Sequence, residues 1–89
     1  MRIPLDPDVA DVAPTGTVFT AYDVEHALTY VRMLDAAADN MDWREVARIV
    51  LHLDPDREPD RARQAFDTHL ERAKWASRQG YGQLLRMGV

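Results

Sequence analysis

The sequence contains no cysteine. A disulfide framework and thiolate metal sites are thereby excluded, and the composition suits a reducing compartment, so the cytoplasm is the expected location. No apolar run approaches the roughly 18 residues that a membrane span requires. Residues 1–11 carry one arginine followed by acids, which is not the pattern of a signal peptide. Glycine is scarce, at four residues, and builds neither a phosphate-cradling loop nor a nucleophile elbow. The three histidines, His26, His52 and His69, are too widely spaced for an i,i+3 or i,i+4 metal site on one helix, and they read as surface or core-edge residues. Asp54 and Asp56 form an acid pair, but on a short surface turn they have no dry pocket to tune them for proton transfer. The expectation is no enzyme, no cofactor, no metal and no small-molecule ligand.

What is present is enough for one small domain. Of 89 residues, 46 % are hydrophobic, well above the disordered range. Net charge is −4 and unevenly spread. Residues 1–42 hold two arginines against eight acids, and residues 43–89 hold nine bases against seven acids. An acidic chain does not draw phosphate backbones from a distance, although a basic patch in the second half acts locally.

Residues 1–19 read as an irregular arm. Pro4, Pro7 and Pro14 interrupt any helix and Gly16 adds a turn. The later apolar residues, up to Val18 and Phe19, are expected to pack on the domain and the first few to be mobile. Residues 20–89 read as one helical domain. Helix one is capped by Thr20, with Asp23 and Glu25 at its positive end. Its core arc comprises Val24, Ala27, Leu28, Tyr30, Val31, Leu34 and Ala38. Tyr22, His26, Met33 and Ala37 form a weaker second face. The helix stops near Asp39-Asn40.

Helix two is capped by Asp42, with Glu45 at capping-box spacing. It buries Trp43, Val46, Ala47, Val50 and Leu53, points Arg44, Arg48 and His52 outward, and ends before Pro55 after about ten residues. An acidic turn follows. Helix three starts around Pro59, runs to Gln79 and is closed by Gly80. Its buried stripe reads Ala62, Phe66, Leu70, Ala73 and Ser77. Tyr81, Leu84 and Leu85 suggest a short helical extension. The fold class is therefore all-α: a trihelical, helix-turn-helix-like domain with an irregular N-terminal arm and a short C-terminal helical extension.

A helix-turn-helix raises DNA binding first. The start of helix three offers Arg57, Arg61, Arg63 and Gln64, all suitable for reading base edges. Four acids against one base over residues 54–60 would repel the phosphates beside them. Intramolecular pairing of these arginines competes with any such role. Trp75 points elsewhere. It lies 180° from Phe66 at 100° per residue. Either the arm or the Tyr81, Leu84 and Leu85 segment covers it, or Trp75, Arg78 and Tyr81 anchor a protein partner, with Arg48 as a secondary candidate.

The residues also carry a resemblance. The run Asp42-Trp43-Arg44-Glu45-Val46-Ala47-Arg48-Ile49-Val50-Leu51, then residues 66–75, then Gly80-Tyr81-Gly82-Gln83-Leu84-Leu85, resembles a proteobacterial family long labelled a domain of unknown function. Its marks are a W/Y-R-E-I/V-A helix start and a terminal G-Y-x-x-L-L. Members occur in regulators of integrative and conjugative element transfer, and the short single-domain form is similar to QseM-type antiactivators. The resemblance implies a protein that binds an FseA-like transcriptional activator and blocks genes for excision and conjugative transfer under quorum-sensing control. A DNA-binding helix-turn-helix regulator is the alternative, and a structural or dimerisation module a weaker third.

Overall fold

The computed structural model describes residues 7–79. Among them are four helices and no strand: α1 (Ala21–Glu25), α2 (Ala27–Ala38), α3 (Trp43–Ile49) and α4 (Pro59–Arg78), preceded by the irregular arm. The all-α class and the arm are as the sequence implies. Gly80 and the expected extension at Tyr81, Leu84 and Leu85 lie outside the described residues.

Helix one is two helices. Thr20 caps α1 as expected: its hydroxyl accepts from the Asp23 N–H, and the Asp23 carboxylate accepts from the Thr20 N–H, a reciprocal capping box. At His26 the backbone leaves the helix, with φ −108° and ψ 19°. The break changes the phase of the buried arc. Val24, Ala27 and Tyr30 are buried as expected, but Leu28, Val31 and Leu34 are half-exposed and Ala38 is exposed. His26 and Met33, assigned above to a second face, are buried. Asn40 ends α2 in the left-handed region, φ 57°, which asparagine tolerates. The Met41 N–H reaches the Ala36 carbonyl and the Asn40 N–H the Ala37 carbonyl, the Schellman pattern.

Asp42 caps α3 by accepting from the Arg44 N–H at 3.1 Å. Glu45 pairs with Arg48 at 3.1 Å instead of completing a capping box. The helix has seven residues, not ten, because His52 adopts a left-handed φ of 58°. The Leu51 and Leu53 N–H groups reach back to Val46 and Ala47 across that bend. The connection 50–58 is wider than the three or four residues of a compact helix-turn-helix. Within it, Asp54 Oδ1 accepts from the N–H groups of Asp56 and Arg57, which folds the turn on itself. Pro59 occupies the first turn of α4, and Gln79 is its C-cap.

The buried residues of α4 are Ala62, Ala65, His69, Arg72, Ala73 and Ala76. Positions 62, 65, 69, 72 and 76 alternate in steps of three and four with Ala73 beside them, and the alanines let α2 and α3 approach closely. The stripe expected from Phe66 is rotated: Phe66 and Leu70 are half-buried and Ser77 is exposed. Ala73 and Ala76 meet Val24, Ala27 and Tyr30 in one apolar cluster. Ala65 joins Met33, Ala36, Val46, Val50 and Leu51 in a second. α2 therefore runs antiparallel to α4 and spans both clusters.

A buried ion pair joins these layers. Arg72 donates to Asp23 from Nε at 2.9 Å and from Nη2 at 2.7 Å, and Tyr30 donates its hydroxyl at 2.7 Å. Burial alone pushes the Asp23 carboxyl up. The hydrogen bonds from Arg72, the Thr20 backbone and Tyr30 outweigh that and hold it below its ordinary value.

A depressed carboxyl contributes stability that is present above the unfolded value, about 3.9, and is lost as pH falls through the folded one. The denaturation midpoint should therefore drop as pH is lowered below about 4. Asp23→Asn should flatten that acid limb and cost about 3–5 kcal/mol near neutrality by stranding Arg72. A domain of this size has roughly 4–13 kcal/mol in total, so urea titration should find the variant near the edge of folding. An Asp23→Asn protein as stable as the parent would contradict this role.

Candidate protein-binding site

The arm is shaped by the same arginine. Arg72 Nη1 donates to the Gly16 carbonyl at 2.7 Å and Nη2 to the Val18 carbonyl at 2.9 Å. Gly16 has φ +101°, which a side chain would strain. The Ala13 N–H donates to Thr68 Oγ1 at 3.1 Å, and Ala13 is buried. Residues 13–18 thus lie beside the C-terminal half of α4 with their backbone held by α4 side chains.

Between them is a cleft of about 320 Å³, walled by Pro14, Thr15 and Gly16 on one side and by Thr68, Trp75 and Arg78 on the other. Glu71 also lines it. Trp75 does not stand outward as Phe66-centred counting implies. At 100° per residue it lies about 120° from His69, on the flank of the true buried stripe. It is half-buried: its ring packs on Phe19 at 4.8 Å, and the Arg72 guanidinium lies 3.9 Å from its centroid. Of the two covers considered for Trp75, the arm supplies one through Phe19. The indole also lines the cleft. Arg78, exposed at its rim, has no acid partner among the described residues. Val18, two residues beyond the cleft wall, is 73 % exposed.

The other expected partner residues are not gathered here. Tyr81 lies outside the described residues. Arg48 belongs to a different surface, where it pairs with Glu45 at 3.1 Å and Asp56 at 3.0 Å beside His52 and Leu53.

Two of the four DNA-reading candidates are committed to carboxylates. Arg61 donates to Asp11 of the arm at 2.6 Å and to Glu58 at 2.9 Å. Arg63 pairs with Asp67 at 3.1 Å and lies over the rings of Trp43 and Phe66. Arg57 and Gln64 are exposed. The acidic turn is partly consumed inside the fold: Asp54 caps it, Asp56 holds Arg48 and Glu58 holds Arg61.

Residue counting missed the polar interior. His26 and His69 are buried, not surface or core-edge, and Tyr22 lies between them. The Tyr22 hydroxyl is 2.6 Å from His69 Nε2 and accepts the Ala10 N–H at 2.9 Å. Burial, opposed in part by that N–H, raises the Tyr22 hydroxyl above its ordinary value. The signal was available in the alternation 62, 65, 69, 72, 76, which places His69 and Arg72 on the alanine stripe.

No group of three or more metal-binding side chains occurs among the described residues. None of the described helices is long and apolar enough to cross a membrane. No protein-family model and no curated protein matches the chain.

Tyr22 is the polar tie between arm and helices that can be removed without changing shape. Tyr22→Phe leaves the Ala10 N–H and His69 Nε2 without their partner, a cost of about 1–3 kcal/mol. Urea denaturation should show a lowered midpoint with an unchanged slope, and an unaltered midpoint would refute the tie.

Proposed function

We propose that this protein is a transcriptional antiactivator that captures a transcriptional activator through the cleft at Trp75 and Arg78. The observation that carries this reading is the cleft itself, lined by the half-buried Trp75 and by Arg78, which has no acid partner among the described residues, with the exposed apolar Val18 two residues beyond its wall. Tryptophan and arginine dominate interface hot spots, because each offers a large apolar surface and a directed polar group. An apolar side chain of the partner enters between Trp75 and Pro14, and Arg78 meets a carboxylate at the rim. The commitment of Arg61 and Arg63 to Asp11, Glu58 and Asp67 supports a protein partner over DNA.

The resemblance to QseM-type antiactivators supplies the finer content. The partner is an FseA-like activator, and the consequence is repression of excision and conjugative transfer of an integrative and conjugative element under quorum-sensing control. A cytoplasmic location goes with that role.

Trp75→Ala should weaken capture of the purified activator at least about 30-fold, the equivalent of about 2 kcal/mol. Because Trp75 also packs on Phe19, the variant must first be shown to melt cooperatively. Arg78→Glu, at an exposed rim, should weaken capture without altering the melt. A folded Trp75→Ala protein with unchanged affinity would remove the cleft from consideration. Gel shifts on the element's promoters at two salt concentrations address the alternative. A salt-sensitive shift abolished by Arg61→Ala or Arg63→Ala would establish a DNA-binding regulator instead.

A further inference from the structure

The solvent side of α4 carries an ordered stripe of charge. Asp67, Glu71, Lys74 and Arg78 are all exposed. Their spacing of four, three and four places them within about 60° of one another at 100° per residue, opposite the buried stripe around His69. In chain order the signs are acid, acid, base, base. Little of this charge is used inside the fold. Glu71, Lys74 and Arg78 form no ion pair among the described residues, and Asp67 meets Arg63 at 3.1 Å across an exposed surface. At the start of the same helix, by contrast, Arg61 is held by both Asp11 and Glu58.

The order of signs is its own complement when reversed. The midpoint of Asp67 and Arg78 coincides with that of Glu71 and Lys74, between Arg72 and Ala73. A second α4 laid antiparallel across that midpoint sets every acid against a base. Asp67 meets Arg78 of the second copy and Glu71 meets its Lys74, and both pairings recur in reverse. Four ion pairs then span about 16 Å of helix. A parallel pair in register would set acid on acid. The antiparallel relation is a two-fold axis, in which each contact between two positions occurs twice. Trp75 lies beside the stripe, about 60° from Arg78. The same axis brings both half-buried indoles to one side of the contact, which adds apolar area to pairs that singly contribute little.

We infer that the outer face of α4 is a self-association surface, on which two copies of this chain pair antiparallel about the point between Arg72 and Ala73. Each copy has a net charge of −4, so the long-range field opposes the encounter, and the local match sets orientation and specificity. The result is a weak dimer that forms with concentration. Glu71, Trp75 and Arg78 also line the cleft, so a second copy and a partner in the cleft compete for the same side of α4. The pairing itself does not rest on what the cleft captures.

Sedimentation equilibrium of the full-length chain, from micromolar to millimolar concentration, tests it. Salt of about 0.1 M screens the net repulsion beyond about 10 Å and leaves the contacts. The native chain should pass from monomer to dimer. Glu71→Lys and Lys74→Glu each turn two of the four pairs into like-charge contacts, and each should weaken self-association at least about 10-fold. Both positions are exposed, so each variant should melt like the native chain. Mixed in equal amounts, the two variants should associate with each other, because lysines at 71 and 74 of one copy then face glutamates at 74 and 71 of the other. A native chain that stays monomeric, a single variant that dimerises like the native chain, or a mixture no more associated than its parts would each overturn the inference.

Discussion

The buried pair of Asp23 and Arg72 is the interaction on which the remaining structure turns. Its carboxylate caps α1 through Thr20, receives the Tyr30 hydroxyl from α2 and receives two guanidinium nitrogens from α4. The same guanidinium extends to the carbonyls of Gly16 and Val18 and lies over Trp75. One ion pair therefore sets the helix register, the path of the arm and the position of the indole. Such a pair is weak evidence of added stability, because desolvating two charges offsets their attraction. Its value lies in specificity. Its hydrogen bonds fix α4 against α1 at one position along an alanine stripe that offers little shape of its own.

That stripe explains why the interior is polar. Ala62, Ala65, Ala73 and Ala76 bring backbones close but bury little apolar area each. His69 and Arg72 occupy the two larger positions between them. Each polar atom placed there must then be satisfied, and the partners come from the arm, α1 and the α4 backbone: Gly16, Val18, Tyr22, Asp23 and Ala65. The arm is consequently a structural layer. It supplies acceptors to a buried cation and closes one side of the cleft.

Charge is used in the same economical way on the surface. Asp11 of the arm and Glu58 of the connection share Arg61, and Asp56 holds Arg48. Exposed pairs of this kind add little stability. Their effect is to draw arginines away from any phosphate backbone, while Arg78 at the cleft rim stays uncommitted among the described residues. A basic second half thus becomes compatible with protein recognition at one end of α4.

The sequence by itself determined the helical class, the irregular arm and most element boundaries. These depend on local chemistry that acts within a few residues: the Thr20 and Asp42 caps, the Asn40 stop, and Pro59 in a first turn. It also marked Trp75 and Arg78 as a pair worth attention. Tertiary structure alone decided which faces are inside. Counting from Phe66 turned α4 away from its true stripe, because hydrophobicity outweighed the regular spacing of alanines around His69 and Arg72. The split at His26 was not legible in the periodicity; there the buried ring lies against the carbonyls of Tyr22 and Asp8. The cleft was hidden too, since residues more than fifty positions apart build it. Burial of a charge is decided by the partner that reaches it, and for Arg72 that partner, Asp23, lies on another helix.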